Sequence, residues 1–423
     1  MLPAVMIDVA GFRGLTYDPA RVELSRVITP PYDVIDATQR AALADRSPYN
    51  FVRIDLPEPI SPEVDRYRAA ADILASYRAN GVLRQDRAPT LYRYHQEFVD
   101  RETDRTVTRK GVIAAVGLSP WGAGAIRPHE TTFHAPLEDR ARLLEATRVH
   151  LSPVFAMYDG DSHAVEHLLD RPGAAPDLVA RTDDGTRHSV WRISDAGTLA
   201  EVSRLLAPRC AYVLDGHHRY ETMVAFHDRA APPAVSRRGL MFLVPMSDPG
   251  LIVLPTHRLV DGVSGLTRDR FLAEVRRRAR IDPIRDAARD PGTLRRALAS
   301  APDGPVFVAV FPGDPDAHLL TVGGGGRSHV APEISVLHDA ILEPVLGIAS
   351  RRGTSDVRLR HVSDTAAALG AIAGGRAQLA LLVRPPRLSQ IKQVADLGQV
   401  MPQKSTYLFP KLASGLVMMA VDP

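Results

Sequence analysis

The run Ala211-Tyr212-Val213-Leu214-Asp215-Gly216-His217-His218-Arg219-Tyr220, continued by Glu221-Thr222-Met223-Val224-Ala225-Phe226, decides the reading of this chain. Its opening residues are apolar and β-prone, and its closing ones place apolar side chains at helical spacing. The segment therefore predicts strand, tight turn, helix. Such a turn is an anion site: Gly216 lets a ligand approach the backbone, and the amino end of the helix offers N–H groups and the positive end of its dipole. One carboxylate, two imidazoles and a guanidinium stand within Asp215 to Arg219. An Asp-Gly turn whose histidines merely cap and pack is the competing reading.

Composition narrows the classes. At 423 residues the chain exceeds the size of one typical core, so two or three domains are expected. Hydrophobic content of 45% and charged content of 24% suit a globular protein rather than a disordered one. The net charge is only +3, and no arginine-rich block with interleaved aromatics appears, so no nucleic-acid partner is expected. Arg276-Arg277-Arg278 reads as a solvated face. Cys210 is the only cysteine, which excludes an internal disulfide and a thiolate zinc cage; just before the strand, it is expected as a buried apolar thiol. No apolar run reaches the roughly 18 to 20 residues of a membrane span, and the first residues lack a signal pattern. A cytoplasmic protein without a membrane partner is the expectation.

Only four of the 52 basic residues are lysine, namely Lys110, Lys392, Lys404 and Lys411. In so arginine-rich a chain, the close pair Lys404 and Lys411 invites a reason specific to the ammonium group.

Along the chain, Pro30-Pro31 forces extended backbone and presents Asp33 at a strand edge or turn. Ala37 to Ala44 is a short helix, Asn50 to Ile54 a strand, and Tyr67 to Tyr77 a helix stopped by Asn80-Gly81. Leu91 to Val99 and Val107 to Val116 make a hairpin whose Arg93, His95 and Glu97 form a solvated face. Pro128-His129-Glu130-Thr131 precedes a helix bearing Glu138, Asp139 and Arg140, and Leu151 to Tyr158 is a strand. Leu240 to Met246 and Leu251 to Leu254 are apolar strands, the second ending in Pro255-Thr256-His257-Arg258. Helices rich in alanine and arginine mark 262–395, with the run Gly323 to Gly326 read as a hairpin tip or flexible loop. The closing Met401-Pro402-Gln403-Lys404-Ser405-Thr406-Tyr407 is a shaped loop that leads to a last strand. The domains read as a core over 1–260, a second α/β region over 261–395, and a loop and strand over 396–423 returning to the site. His134, His150, His163, His167 and His188 are expected as surface or packing residues.

Several familiar chemistries are excluded. Gln403 stands where a phosphate loop needs glycine, no Gly-x-Gly-x-x-Gly opens a helix, Gly-x-Ser-x-Gly is absent, and His129-Glu130 lacks the second histidine of a zinc helix. What remains is a set of turns offering Asp33, His129, Glu130, Arg140, Asp215, Gly216, His217, His218, Arg219, His257, Arg258, Lys404, Ser405, Thr406 and Lys411. That mixture suits phosphoryl transfer: cations and N–H groups hold phosphate oxygens, and a carboxylate takes the proton of an attacking hydroxyl.

The segments Pro30-Pro31-Tyr32-Asp33-Val34-Ile35, Pro128-His129-Glu130-Thr131, Asp215-Gly216-His217-His218-Arg219-Tyr220-Glu221-Thr222, Pro255-Thr256-His257-Arg258 and Met401-Pro402-Gln403-Lys404-Ser405-Thr406-Tyr407 occur in this order. Together they resemble the bacterial and archaeal family catalogued as domain of unknown function 1015. The Asp215 turn is also similar to the nucleotide-binding turn of the ParB and sulfiredoxin superfamily, which includes free serine kinases. The resemblance implies an α+β fold with a mixed β-sheet core and flanking helices, and ATP or ADP with Mg²⁺ at Asp215 to Arg219. It further implies Asp33 or Glu130 as base for a small serine-like hydroxyl substrate, with Lys404, Lys411 and Arg140 neutralising the transferring charge. Two alternatives stand beside this kinase: a hydrolase or phosphatase with metal on His129, Glu130, Asp215 and His217, and a non-catalytic nucleotide-responsive regulator.

Overall fold

A computed structural model describes residues 6–59, 64–101, 103–132, 134–160, 163–229, 237–302, 304–323, 332–348, 356–402 and 404–421. The fold is mixed α+β, and the chain divides into two compact units. The first comprises residues 1–128, 134–252 and 410–423; the second comprises 129–133 and 253–409.

The first unit is built on a nine-stranded sheet. Its strands run in the spatial order Ile126–Arg127, Ala211–Asp215, Val154–Tyr158, Arg238–Pro245, Thr106–Gly117, Leu91–Val99, Arg187–Ile193 and Leu178–Arg181, with Val9–Ala10 pairing onto Thr106–Gly117 off that path. Parallel and antiparallel neighbours alternate around the middle: Ala211–Asp215 runs parallel to Ile126–Arg127 and antiparallel to Val154–Tyr158. Val154–Tyr158 is buried along its whole length and Arg238–Pro245 nearly so, because helices cover the sheet; hence their uninterrupted apolar sequences. The chain end returns as Met418–Ala420 between Gly14–Tyr17 and Val149–His150 in a four-stranded sheet.

Several local expectations change. Asn50 to Ile54 is no strand: Val52–Asp55 is a single helical turn, because the Asn50 side chain accepts the Val52 N–H at 3.0 Å while donating to the Arg26 carbonyl at 2.8 Å. That capping overrides β-propensity. Arg93 is not on a solvated face; it is 6% exposed and paired with Glu166 and Asp170 at 3.0 and 2.8 Å. Cys210 is half-buried rather than buried. Asp33 does sit on a turn, the short 3₁₀ turn Tyr32–Val34. His257 and Arg258 open the strand His257–Val260 instead of closing one. In the run Gly323 to Gly326, residues 324–326 lie outside the described residues, as does Gln403.

The second unit is a six-stranded antiparallel sheet in the order Ala279–Ile284, Ala317–Val322, Val306–Val310, Leu379–Leu382, His257–Val260, Leu359–Val362. Alternate residues of one strand feed two cores. Phe307 and Ala309 join Phe271, Leu337 and Leu381 on one face, whereas Val306, Val308 and Val310 join Leu294, Leu369 and Ile372 on the other.

Candidate functional site

In the first unit the strand Ala211–Asp215 delivers Asp215 to the start of the helix His217–Arg229. The delivery is irregular. Val213 pairs with Ala156 and Asp215 with Phe155, so Leu214 is an extra residue, a bulge that bends the strand just before the turn. Gly216 then adopts φ +92°, and a Cβ there would stand 2.9 Å from the Arg219 guanidinium. Glycine is required twice, for the backbone and to let Arg219 fold back across the turn.

Two cations meet on Asp215. Arg219 donates to Oδ2 at 2.6 Å, and Lys411, 196 positions away in sequence, pairs with Oδ1. Burial alone would raise this carboxyl, but Lys411 and then Arg219 hold it well below the usual carboxylate range. Asp215 is thus an ionised anchor and a weak base. The local surplus is positive, at the end of a helix whose first i→i−4 bond, Tyr220 N–H to Gly216 C=O, leaves the amides before it to other partners.

Lys411 is positioned by residues that the motifs did not reveal. Gln96 donates to its carbonyl at 3.0 Å, and Arg109 donates to Pro410 C=O, Gln96 Oε1 and Gly250 C=O at 2.8 to 2.9 Å. Arg109 is fully buried, which pushes its guanidinium down to about 10. The sequence signal was weak: an arginine inside a strand otherwise rich in apolar residues.

Arg219 also reaches toward a second cluster. Arg140, on the helix His134–Thr147, donates to Asp55 Oδ1 at 2.9 Å, pairs with Asp139, and lies 4.2 Å over the Tyr32 ring. Burial raises the Asp55 carboxyl, against the opposing charges of Arg140 and Arg219; nearby Asp33 raises it further. Burial likewise pushes the Tyr32 phenol up, with Asp33 adding to it. Asp33, Arg140, Asp215, Gly216, Arg219 and Lys411 therefore belong to one neighbourhood. His217 is buried beside Trp121, their rings 6.4 Å apart, and His218 follows it half-buried. Trp121 stacks on Tyr220 at 4.1 Å and borders a groove of about 850 Å³ along the helix. Glu138, Glu145, Glu221 and Asp228 outnumber Arg142 and Arg229 in that groove, so it repels phosphate.

His129, Glu130, Lys404, Ser405 and Thr406 fall in the second unit. There His129 Nε2 meets Thr406 Oγ1 at 3.1 Å, Met401 N–H donates to His129 C=O at 2.7 Å, and the Lys404 N–H donates to Glu130 Oε1 at 3.0 Å. Ser405 Oγ donates to Pro402 C=O, and Arg258 to Lys404 C=O at 3.2 Å. Burial pushes Arg258 down to about 9, and pushes His361 down to about 3 with Arg258 and Lys404 adding to it. Lys404 itself is exposed, at φ +55°.

Among the described residues no group of three or more His, Cys, Asp or Glu could hold a metal ion. Of the set named for the hydrolase alternative, Asp215 and His217 fall in the first unit and His129 and Glu130 in the second. Within the first unit Asp215 is already committed to two cations, so it offers Mg²⁺ no free carboxylate. No helix among the described residues is long and apolar enough to cross a membrane.

A model of the family described as "Protein of unknown function (DUF1015)" matches residues 9–335. No curated protein matches the chain significantly. Among solved structures, a free serine kinase in complex with AMP is 13% identical, with a TM-score of 0.35, and covers 67% of this chain and 83% of that one. A variant of free serine kinase in complex with ADP gives 12%, 0.35 and the same coverage. SbnI with C-terminal truncation from Staphylococcus aureus is 12% identical at a TM-score of 0.32, covering 68% and 81%.

Proposed function

The chain belongs to the DUF1015 family, whose description names no activity, and we propose a phosphotransferase that moves a phosphoryl group from ATP or ADP to a hydroxyl of a small serine-like metabolite, the donor and acceptor being those that the resemblance to free serine kinases implies. The observation that carries this reading is the convergence of Lys411 and Arg219 on Asp215 at the amino end of a 13-residue helix. A half-buried carboxylate holds two cations in place, and their surplus charge lies at the amino end of the helix, the end suited to phosphate.

In the proposed step the acceptor oxygen attacks the terminal phosphorus, the bond to the bridging oxygen breaks, and the shortened nucleotide leaves. Lys411 and Arg219 neutralise the charge that develops on the phosphoryl oxygens. Asp215 orients those cations instead of taking the proton; Asp33, exposed on its turn beside Tyr32, is the proton acceptor that this unit offers. Mg²⁺, when present, travels with the nucleotide and screens its phosphates.

The test is label transfer from ATP or ADP, with Mg²⁺, to a panel of hydroxy amino acids, with L-alanine as control. Transfer to a hydroxylated acceptor, lost in Lys411→Met, supports the reading. Absence of both nucleotide binding and transfer ends it. The second unit's set is tested in the same assay through Glu130→Gln and Lys404→Met.

A further inference from the structure

Beside Arg219 the first unit forms a half-open cavity of about 40 Å³ lined by Tyr32, Asp55, Arg140, His150, Ser152 and Thr222, with apolar walls. The volume accommodates on the order of three waters, so it takes the polar head of a small molecule and not a nucleotide. Its lining is unusual in one respect. Asp55 Oδ2, His150 Nδ1 and Nε2, and Thr222 Oγ1 are all buried without a hydrogen-bond partner in the protein. Asp55 and His150 are 2% exposed and Thr222 is 5% exposed. A buried polar atom left unmatched costs about 1–3 kcal/mol, so several in one cavity mark a place built for an occupant.

Charge gives the occupant's class. Arg219 and Lys411 share one carboxylate, Asp215, and leave positive charge at one end; Arg140 faces two carboxylates, Asp55 and Asp139, and leaves negative charge at the other. We propose that this cavity is the acceptor subsite of the phosphotransferase proposed above, taking a small hydroxylated amino acid with its ammonium toward Asp55 and its carboxylate toward Arg219. His150, which burial keeps neutral by pushing it down to about 3, offers one donor and one acceptor, and Thr222 a hydroxyl that is both. The inference rests on that reading for the word acceptor, but binding alone tests the cavity.

Calorimetric titration of the full chain without nucleotide, using L-serine and L-glycerate, reads the subsite directly. L-serine is expected to bind, and L-glycerate, which has the same configuration but lacks the ammonium, at least tenfold more weakly. Thr222→Val, which keeps shape, weakens L-serine several-fold, and Asp55→Asn at least tenfold. If Asp55→Asn fails to fold by circular dichroism, Thr222→Val decides. No L-serine binding by the folded protein, equal binding of L-glycerate, or unchanged affinity in the variants overturns the proposal. Binding without label transfer keeps the subsite and removes the kinase; transfer with an unchanged acceptor KM in both variants keeps the kinase and removes the subsite.

Discussion

The side-chain amide of Gln96 donates to the main-chain carbonyl of Lys411 at 3.0 Å, so the lysine that meets Asp215 is fixed at its backbone by the central hairpin. Its side chain is held at both ends, at the backbone by Gln96 and at the ammonium by Asp215, which is the preorganisation that charge stabilisation demands.

Lys411→Met removes one of the two cations on Asp215. The carboxylate keeps Arg219, so the structural loss is moderate, about 2 kcal/mol, the size of one charged hydrogen bond. Phosphoryl transfer is expected to fall on the order of 100-fold or more. Thermal unfolding and label transfer measured on the same preparation separate the two effects.

Gly216→Ala places a Cβ 2.9 Å from the Arg219 guanidinium at φ +92°. The strain is expected to cost about 1–3 kcal/mol and to displace Arg219 from Asp215. Nucleotide affinity should weaken together with the urea midpoint; an unchanged midpoint would contradict the tight turn.

Arg109→Met leaves Gly250 C=O, Pro410 C=O and Gln96 Oε1 without a strong donor in a buried setting. Each loss is worth about 1–3 kcal/mol. Because Arg109 positions the Lys411 segment, residual folded protein should show a lowered kcat with little change in nucleotide KM.

Stability should fall on acidification. Burial pushes His150 and His361 down to about 3, and His188 and His257 down to about 4, from an ordinary 6.5. Below about pH 6.5 the unfolded chain binds protons that the folded chain refuses, so their contribution is whole above that pH and shrinks as pH drops toward 4. Urea midpoints at pH 5 should lie well below those at pH 7, and His188→Gln should flatten the slope. Equal midpoints at the two values would refute it.

Lys404→Gly relaxes a positive-φ residue at 55° while deleting an exposed ammonium. Stability should hold or rise by about 0.5–1 kcal/mol. If that ammonium serves the reaction, transfer falls in the same protein.

The local elements were legible because their signals are local. The strand and helix around Asp215, the hairpin from Leu91, and the helix stop at Asn80-Gly81 follow from period and turn residues, and Gly81 takes φ +67°. What failed depends on distant partners. Val52–Asp55 is helical because Asn50 is tied to Arg26, and Arg93 is buried because Glu166 and Asp170 come from another segment. Asp55 and His150 carried no motif at all; only the cavity between them makes them conspicuous. Lys411 stood out by its rarity, yet no spacing rule foretold its contact with Asp215.

Leu214 has no counterpart on the neighbouring strand, so the distance from Val213 to the helix is set by one supernumerary residue. Deleting it would restore an even ladder and swing the following side chain to the opposite side of the sheet, stranding Lys411 without its counter-ion. Length changes that loops elsewhere absorb freely are intolerable at this single joint.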